Sequence, residues 1–367
     1  MKKKLFDTAV KLLSYKYKKS GYSDLAAEGM VMAHLVETIK GGYSSEVRRF
    51  AKKHGFLPST VLALGITEDN YKDYLSDDDY YRLTPLDGEY HSWIDNKLTL
   101  KYLLGDLAGY MPLYYFQIMP DGRILRLFEC SDVYEESADG ILELLKTEKS
   151  LGIKRLVGGG GEGFYKAEYR TAEGFFVNDK AYSPSQMNKF IKGLKNYLIL
   201  EYLESAGLPA KIYPKTANSI RVIIGVEDDK KYYIGNFIKF GDSGSGYVDN
   251  LTGGGISCPV NKNGDFNVGY TKVAGAMTEI HEHPDTHQIL VGHLDEWDQI
   301  MELAHKIMKR LPQLTYCGFD FVISDKGIKL LEINDRSGFL TLQKERPLLS
   351  DKQDNFYLKR LKKINKA

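Results

Sequence analysis

The stretch that most constrains this chain is Cys317-Gly318-Phe319-Asp320-Phe321-Val322-Ile323, followed by Leu330-Leu331-Glu332-Ile333-Asn334-Asp335-Arg336-Ser337-Gly338. Phe319, Phe321 and Ile323 alternate with Asp320 and Val322, which is the period of a strand. Ser324-Asp325-Lys326-Gly327 has the composition of a turn, so Ile328 to Ile333 reads as the returning strand. Glu332 and Asn334 are two apart on it and point to the same face. If the strands pair, Asp320 reaches that face as well. Two carboxylates and an amide oxygen on one sheet surface suit Mg²⁺, a hard cation that keeps waters or phosphates as its remaining ligands. An ordinary hairpin with a wet polar side uses the same pattern. The isoleucine-centred Glu-Ile-Asn leaving a strand sets this one apart, because it has little structural reason to exist.

The chain of 367 residues is long enough for two or three cores of ordinary domain size. Hydrophobic residues at 43% and charged residues at 27% are the proportions of a soluble globular protein. A net charge of +1 gives no general affinity for nucleic acid. Cys130, Cys258 and Cys317 lie far apart without CxxC spacing, which fits a reducing compartment. No uninterrupted apolar segment follows the basic start, and no run of 18 apolar residues exists. A cytoplasmic protein without a membrane span is the expectation. Its oligomeric state is left open.

Residues 1–90 read mainly as helix, with apolar positions such as Met32, Leu35, Val36 and Ile39 recurring near every third or fourth place. Ser44 to His54 forms a further helix with a basic face of Arg48, Arg49, Lys52 and Lys53, the pattern of a solvated surface, with docking of a polyanionic or lipid-linked acceptor as the alternative. Ile94 to Leu104 opens a helix around Lys97. Gly158-Gly159-Gly160-Gly161-Glu162-Gly163 is a loop with unhindered backbone N–H groups, able to fold over phosphate oxygens. Lys154 lies just upstream, where its ammonium can neutralise them. No Gly-Lys-Ser/Thr closes the loop, so it is not a Walker A loop. Tyr197 to Glu204 is an apolar strand ending in Glu-Tyr-Leu-Glu, and Gly207 to Pro214 is read as a linker. Ala217 to Gly225 is a strand whose Arg221 needs a carboxylate or phosphate partner. A second glycine-rich loop carries Asp249-Asn250 just before Gly253-Gly254-Gly255. His281-Glu282-His283-Pro284 lacks the second ligand pair that zinc requires.

The Asp320/Glu332/Asn334 hairpin resembles the magnesium-binding hairpin of the ATP-grasp ligases. Asp95-Asn96-Lys97 is similar to the Asp-Lys helix start of that superfamily, with Asn96 inserted. The glycine loop resembles its lid over the triphosphate, with Arg155-Leu156-Val157 replacing the usual small residues, and Glu201-Tyr202-Leu203 resembles its adenine hinge. Asn218-Ser219-Ile220-Arg221-Val222, the Val248-to-Ile256 loop and His283-Pro284-Asp285-Thr286 narrow the similarity to the sugar-transfer-associated branch, over roughly residues 93–340. The resemblance implies an α+β architecture, an ATP-grasp fold of two subdomains gripping ATP. Its divisions would be a helical region at 1–90, a lid subdomain at 91–204, a metal-hairpin subdomain at 205–345 and a basic tail helix at 346–367.

The resemblance also implies roles. Asp320, Glu332 and Asn334 would hold Mg²⁺, while Lys97, Lys154, Gly159, Gly160 and Gly161 would hold phosphates. Glu201, Tyr202 and Leu203 would meet adenine. Arg221 and Arg336 would clamp phosphate or an acyl-phosphate, Asp249 and Asn250 would line the nucleotide or acceptor side, and His283 is the candidate general base. The chemistry implied is ATP- and Mg²⁺-dependent joining of a carboxylate to an amine in cell-surface polysaccharide or glycoconjugate assembly. A phosphotransferase acting on a hydroxyl would use the same nucleotide groups, and a silent binding module is the reading outside catalysis.

Overall fold

The computed structural model describes residues 2–249, 251 and 254–364. Its first part is helical: α1 (Lys2–Lys19), α2 (Asp24–Lys40), α3 (Ser45–His54), α4 (Pro58–Leu64), α5 (Asp77–Leu83), α6 (His91–Asp95) and α7 (Lys97–Leu104). Local chemistry sets several of these boundaries. The Ser44 side chain accepts from Val47 N–H at the start of α3, and Gly55 ends that helix in the left-handed conformation, φ +75°. Asn96, which interrupts the Asp-Lys pattern in the sequence, is the N-cap of α7. Its side-chain oxygen accepts from the N–H groups of Leu98 and Thr99.

Two seven-stranded sheets follow, and every strand pairing in them is antiparallel. The first contains β1 (Tyr114–Ile118), β2 (Ile124–Arg126), β3 (Ser150–Arg155), β4 (Tyr165–Arg170), β5 (Gly174–Val177), β6 (Lys180–Tyr182) and β7 (Tyr197–Glu201), in the order β2-β1-β7-β3-β4-β5-β6. Helices α8 (Ala138–Glu148) and α9 (Pro184–Gly193) cover one of its faces. Ile141, Leu144 and Leu145 of α8 and Met187 and Ile191 of α9 share a buried cluster with Phe116, Ile153 and Ile199. Gly207–Ile212, read from sequence as a linker, is the short helix α10.

The second sheet contains β8 (Ser219–Glu227), β9 (Lys230–Phe240), β10 (Ile256–Pro259), β12 (Gly269–Val273), β13 (Ala276–Ile280), β15 (Tyr316–Ser324) and β16 (Gly327–Asn334). Their order is β13-β12-β10-β9-β8-β15-β16, and a separate two-stranded ribbon joins β11 (Asp265–Phe266) to β14 (Gly292–His293). The amphipathic α11 (Trp297–Arg310) buries Trp297, Ile300, Leu303, Ala304 and Ile307 in the core shared with β8 and β15. After α12 (Leu340–Glu345) comes α13 (Phe356–Ile364). From sequence α13 belongs to a basic surface tail. Its Phe356, Tyr357 and Leu361 are in fact buried, and only its charged side lies outward.

The helical first part is locked to this second sheet. Leu75, Tyr80, Leu83 and Leu86 share a buried cluster with Tyr316, Phe339, Leu342 and Phe356. Gln343 closes the junction by accepting from Leu75 N–H at 2.6 Å and donating to Leu75 C=O at 3.1 Å. The Asp87 carboxylate accepts from the backbone N–H of Thr315 and Tyr316. These ties hold α4 and α5 beside the end of β16.

Candidate active site

The register of β15 and β16 pairs Asp320 directly with Glu332 and Gly318 with Asn334. A bulge between Asp320 and Phe321 re-aims the strand at that point. Asp320, Glu332 and Asn334 therefore line one cleft between the two sheets. Its other walls are Lys154 of β3, Gly160 and Gly161 of the glycine loop, Glu201, Tyr202 and Leu203 at the end of β7, and Ser219 and Arg221 of β8. Lys239 of β9 and Tyr247, Val248 and Asp249 of the second glycine-rich loop complete it.

Every carboxylate in this cleft is engaged. Arg221 donates from Nε and Nη2 to the two oxygens of Asp320, at 2.6 and 2.7 Å. This is the planar fork that makes Arg–carboxylate pairs strong. Burial works against the Arg221 charge, but Asp320 raises its pKa above the ordinary value. Lys239 approaches Asp320 to 3.4 Å. Lys154 donates to Glu332 at 2.8 Å, and Lys97 stands 3.8 Å from the same oxygen. Burial opposes ionisation of Glu332, yet Lys154 and Lys97 hold its carboxyl far below the usual range. Lys97 is only 2% exposed; burial and the Lys154 charge lower its pKa to about 8, and its Nζ donates to Gly158 C=O at 2.6 Å. Asp249 accepts from the Ser219 backbone N–H and hydroxyl, and Glu201 accepts from Leu113 N–H and from Lys326. Asn250 lies outside the described residues, as do Thr252 and Gly253 of the same loop.

The glycine loop closes onto the opposite wall. Gly161 has φ +72°, and a Cβ there would stand 2.7 Å from Val248 Cγ1. Only glycine lets these two loops meet at that distance. Behind it, Phe164 stacks on Tyr202 with ring centroids 6.4 Å apart, and Lys166 lies over the rings of Tyr202 and Tyr247. With Leu200, Leu203 and Leu331 these rings give the cleft an apolar part of its lining.

A second cavity shares Glu332, Asn334 and Gly160 with the first. Leu57, Ser59, Thr60, Asp77, Tyr80 and Tyr81 of the helical part form one wall. Ile94, Asp95, Lys97, Gly158 and Gly159 of the glycine loop, Ile333 and the segment Asp335–Leu340 form the rest, so Gly159 opens here and not into the first cleft. Arg336 opens into this cavity and is absent from the lining of the cleft. One Asp335 oxygen is buried without a hydrogen-bond partner, and burial raises this carboxyl's pKa against the pull of Arg336. Tyr80 donates its hydroxyl to Ser337 C=O at 2.7 Å and fixes the segment after Asn334.

His283 corrects the sequence reading. It is fully buried, its Nε2 lies 2.8 Å from Gly241 C=O, and its Nδ1 accepts from the N–H groups of Asp285 and Thr286. Its ring stacks on Tyr213 at 4.6 Å, and it lines neither cavity. Both nitrogens serve backbone, the arrangement of a satisfied core histidine. Sequence reasoning gave no site role to Lys239, Ser219, Tyr80 and Tyr81. Lys239 had the signal that singled out Arg221, a cation inside an apolar strand (Phe237-Ile238-Lys239-Phe240). The others come from contacts between distant elements.

The donor set tests whether Mg²⁺ fits. Among the described residues no group of three or more His, Cys, Asp or Glu could hold a metal ion by itself. Two carboxylates and one amide oxygen instead suit a hard cation that shares its ligands with phosphate oxygens. Asp320, Glu332 and Asn334 fit that role, with Lys97, Lys154 and Lys239 around them to meet the phosphate charge.

No curated protein matches the chain. Among solved structures it is similar to D-alanyl-alanine synthetase A from Vibrio cholerae, with 13% identity, 75% of this chain and 66% of that one covered, and a TM-score of 0.44. It is similar also to the ADP complex of N5-carboxyaminoimidazole synthetase from Staphylococcus aureus (11% identity, 68% and 47% covered, TM-score 0.37). A third is L-amino acid ligase from Bacillus licheniformis (8% identity, 68% and 42% covered, TM-score 0.37). The chain thus spans less than two thirds of the length of each. The family model described as sugar-transfer associated ATP-grasp matches residues 79–351, from α5 through the segment beyond α12. Since that match takes in both sheets and the whole lining of the first cleft, the chain belongs to the sugar-transfer associated ATP-grasp family.

Proposed function

We infer that this protein is an ATP- and Mg²⁺-dependent carboxylate–amine ligase that joins a sugar-derived acid to an amine, or an amino acid to a sugar amine, in cell-surface glycan assembly. One observation carries the reading: two cavities of different chemistry meet at Glu332, Asn334 and Gly160. The first combines rings and leucines with cations and paired carboxylates, which suits adenine and a triphosphate. The second has room for the groups to be joined. The family's description supplies the sugar context.

In this mechanism the apolar lining of Phe164, Tyr202, Leu203 and Leu331 holds the adenine ring. Lys154, Lys239 and the glycine-loop N–H groups hold the phosphates, with Lys97 beneath the loop. Asp320, Glu332 and Asn334 would hold Mg²⁺, which supplies neutralisation of the charge that develops on the transferred phosphoryl oxygens. Lys154 turns from Glu332 to phosphate when the nucleotide enters. Arg221 holds Asp320 aimed into the cleft through its two-point fork. A substrate carboxylate in the second cavity attacks the γ-phosphorus and ADP leaves. The amine then attacks the acyl-phosphate carbon, phosphate departs, and the amine proton passes to a carboxylate. Asp335 has the free acceptor position for that proton. The closed glycine loop over this junction excludes water, which would otherwise hydrolyse the acyl-phosphate.

Thermal unfolding with ATP and Mg²⁺ tests the nucleotide assignment. A magnesium-dependent rise in wild type that shrinks in Glu332→Ala supports it, and no rise at millimolar nucleotide overturns it. ADP release with glucuronate or galacturonate and hydroxylamine as the trapping amine then tests the bond. A hydroxamate supports the ligase; a phosphoester in its place identifies a phosphotransferase.

A further inference from the structure

The charge of this chain is unevenly distributed. Residues 1–54 carry twelve Lys and Arg against five Asp and Glu, a net +7, while the remaining 313 residues carry 38 against 44, a net −6. The near-zero total hides a strongly basic pole. It coincides with α1, α2 and α3. Lys11, Lys16 and Lys19 of α1 and Arg48, Arg49, Lys52 and Lys53 of α3 are all exposed. Some of this charge is answered locally, since Lys18 pairs with Asp24 and Lys53 with Glu68. The excess remains.

The same pole exposes apolar side chains that the fold leaves uncovered. Leu12 is 74% exposed and Ile39 76%, and Leu13, Tyr15, Met32 and Val36 are exposed as well. On α2, Met32, Val36 and Ile39 follow at spacings of four and three, so they form one stripe along the helix. On α1, Leu12, Tyr15, Lys16 and Lys19 follow at three and four, so apolar and cationic groups share one face, with Lys19 lying over the Tyr15 ring. The opposite sides of these helices, through Val10, Ala26, Ala27, Met30 and Val31, are already buried.

We propose that the α1–α3 pole is a peripheral docking surface for an anionic lipid bilayer, with Leu12 and Ile39 entering the headgroup boundary and the lysines and arginines facing lipid phosphates. Both halves of the feature are needed for such a surface, since apolar insertion and electrostatic attraction act together in interfacial helices. Charge selects this occupant over the alternatives. A second copy seated on the same face would set +7 against +7. A nucleic acid would use the cations and leave Leu12, Val36 and Ile39 without purpose. No helix among the described residues is long and apolar enough to cross a membrane, so the contact is peripheral. The proposal does not rest on the ligase reading, although a bilayer would explain how a soluble nucleotide site meets a membrane-borne glycan acceptor.

Flotation of the full chain with vesicles tests it directly. Binding is expected with equimolar phosphatidylglycerol and phosphatidylcholine, at least tenfold weaker with phosphatidylcholine alone, and strongly reduced at 0.5 M NaCl. The double variant Leu12→Glu/Ile39→Glu and the triple variant Lys11→Glu/Lys16→Glu/Lys19→Glu should each lower anionic-vesicle binding about tenfold. Their circular dichroism and melting should match wild type, because these side chains are exposed. Absence of vesicle binding by wild type overturns the proposal, as does binding that the folded variants keep. Sedimentation velocity showing self-association that Leu12→Glu/Ile39→Glu abolishes, or retention of the chain by duplex DNA without retention by vesicles, also overturns it. Since the magnesium–nucleotide shift is measured separately, loss of the ligase reading leaves this result standing.

Discussion

The two cavities that meet at Glu332 differ in how the chain builds them. The cleft is made by strands, and its charges come in close pairs: Asp320 with Arg221, Glu332 with Lys154. The second cavity is made where helices α4 and α5 dock against the segment after β16, and its carboxylates are held one by one. Asp77 accepts from Leu57 N–H and Thr60 Oγ, while Asp335 keeps a buried oxygen without a partner. The pairing holds the Glu332 carboxyl far below its usual range and raises Arg221 above its own, the arrangement of fixed charge. Burial pushes these carboxyls toward the neutral form: Asp77 rises to about 7, and Asp335 rises although Arg336 lies beside it. One side of Glu332 is therefore organised for fixed charge and the other for proton exchange.

The largest expected effect tests the pairing. Asp320→Ala leaves the Arg221 guanidinium buried without its carboxylate and should cost about 3–5 kcal/mol in urea unfolding. A loss below about 1 kcal/mol would mean that the fork is not what holds Arg221 in place. Next comes the shared wall. In wild type, nucleotide with Mg²⁺ at about 100 times its dissociation constant should stabilise the fold by about 2.7 kcal/mol. Glu332→Ala should remove most of that increment, read as the magnesium-dependent shift in melting temperature. A full shift in the variant would take Glu332 out of the metal set.

Much of the cleft was legible in the sequence because strand geometry is periodic. Asp320, Glu332 and Asn334 fall on one face by their spacing, and a Glu-Tyr-Leu-Glu strand end or a run of glycines is visible without tertiary information. The second cavity was not legible. Thr60, Tyr80 and Tyr81 reach Arg336 and Ser337 only because Gln343, Asp87 and a cluster of rings join helices to a sheet more than 200 residues away. No local pattern encodes that docking. His283 failed for a related reason. A His-rich, acid-flanked turn looks reactive in one dimension, and only the fold reveals Gly241 C=O and two backbone N–H groups on its ring. The α13 helix shows the same limit: its lysines are obvious in sequence, its buried Phe356 and Tyr357 are not.

Gly161 separates lid from scaffold. Gly161→Ala places a Cβ against Val248 at a left-handed position, a strain of about 1–2 kcal/mol. Because the loop tip carries little of the core, the expected outcome is an approximately tenfold weaker nucleotide Kd with melting temperature nearly unchanged. A large fall in melting temperature with unchanged Kd would make the loop structural.

Asp77 gives the acid-side contrast a pH signature. Its ordinary pKa of 3.8 is raised to about 7 in the fold. The folded state therefore binds more protons than the unfolded one between those values. The stability contributed by protonated Asp77 is complete below about pH 4 and is lost as pH rises toward 7, at no more than about 1.4 kcal/mol per pH unit. Asp77→Asn, which is neutral throughout, should flatten that fall in a series of melts from pH 4 to 7.5. Parallel slopes in variant and wild type would show that Asp77 stays ionised and that the contrast between the two cavities is weaker than drawn.

Tyr80→Phe gives the smallest effect and asks whether the cavities are mechanically separate. The variant keeps the ring in its cluster with Phe339 and removes one hydroxyl, leaving Ser337 C=O unpaired. The expected loss is about 1 kcal/mol in urea unfolding. Ser337 lies three residues beyond Asn334, so the same variant reports on transmission along the chain. If β16 pairing alone positions Glu332 and Asn334, the magnesium–nucleotide shift should equal that of wild type. If the shift falls with the stability, the helical part takes part in setting the metal ligands, and the two cavities work as one unit whose nucleotide side senses what its acceptor side holds.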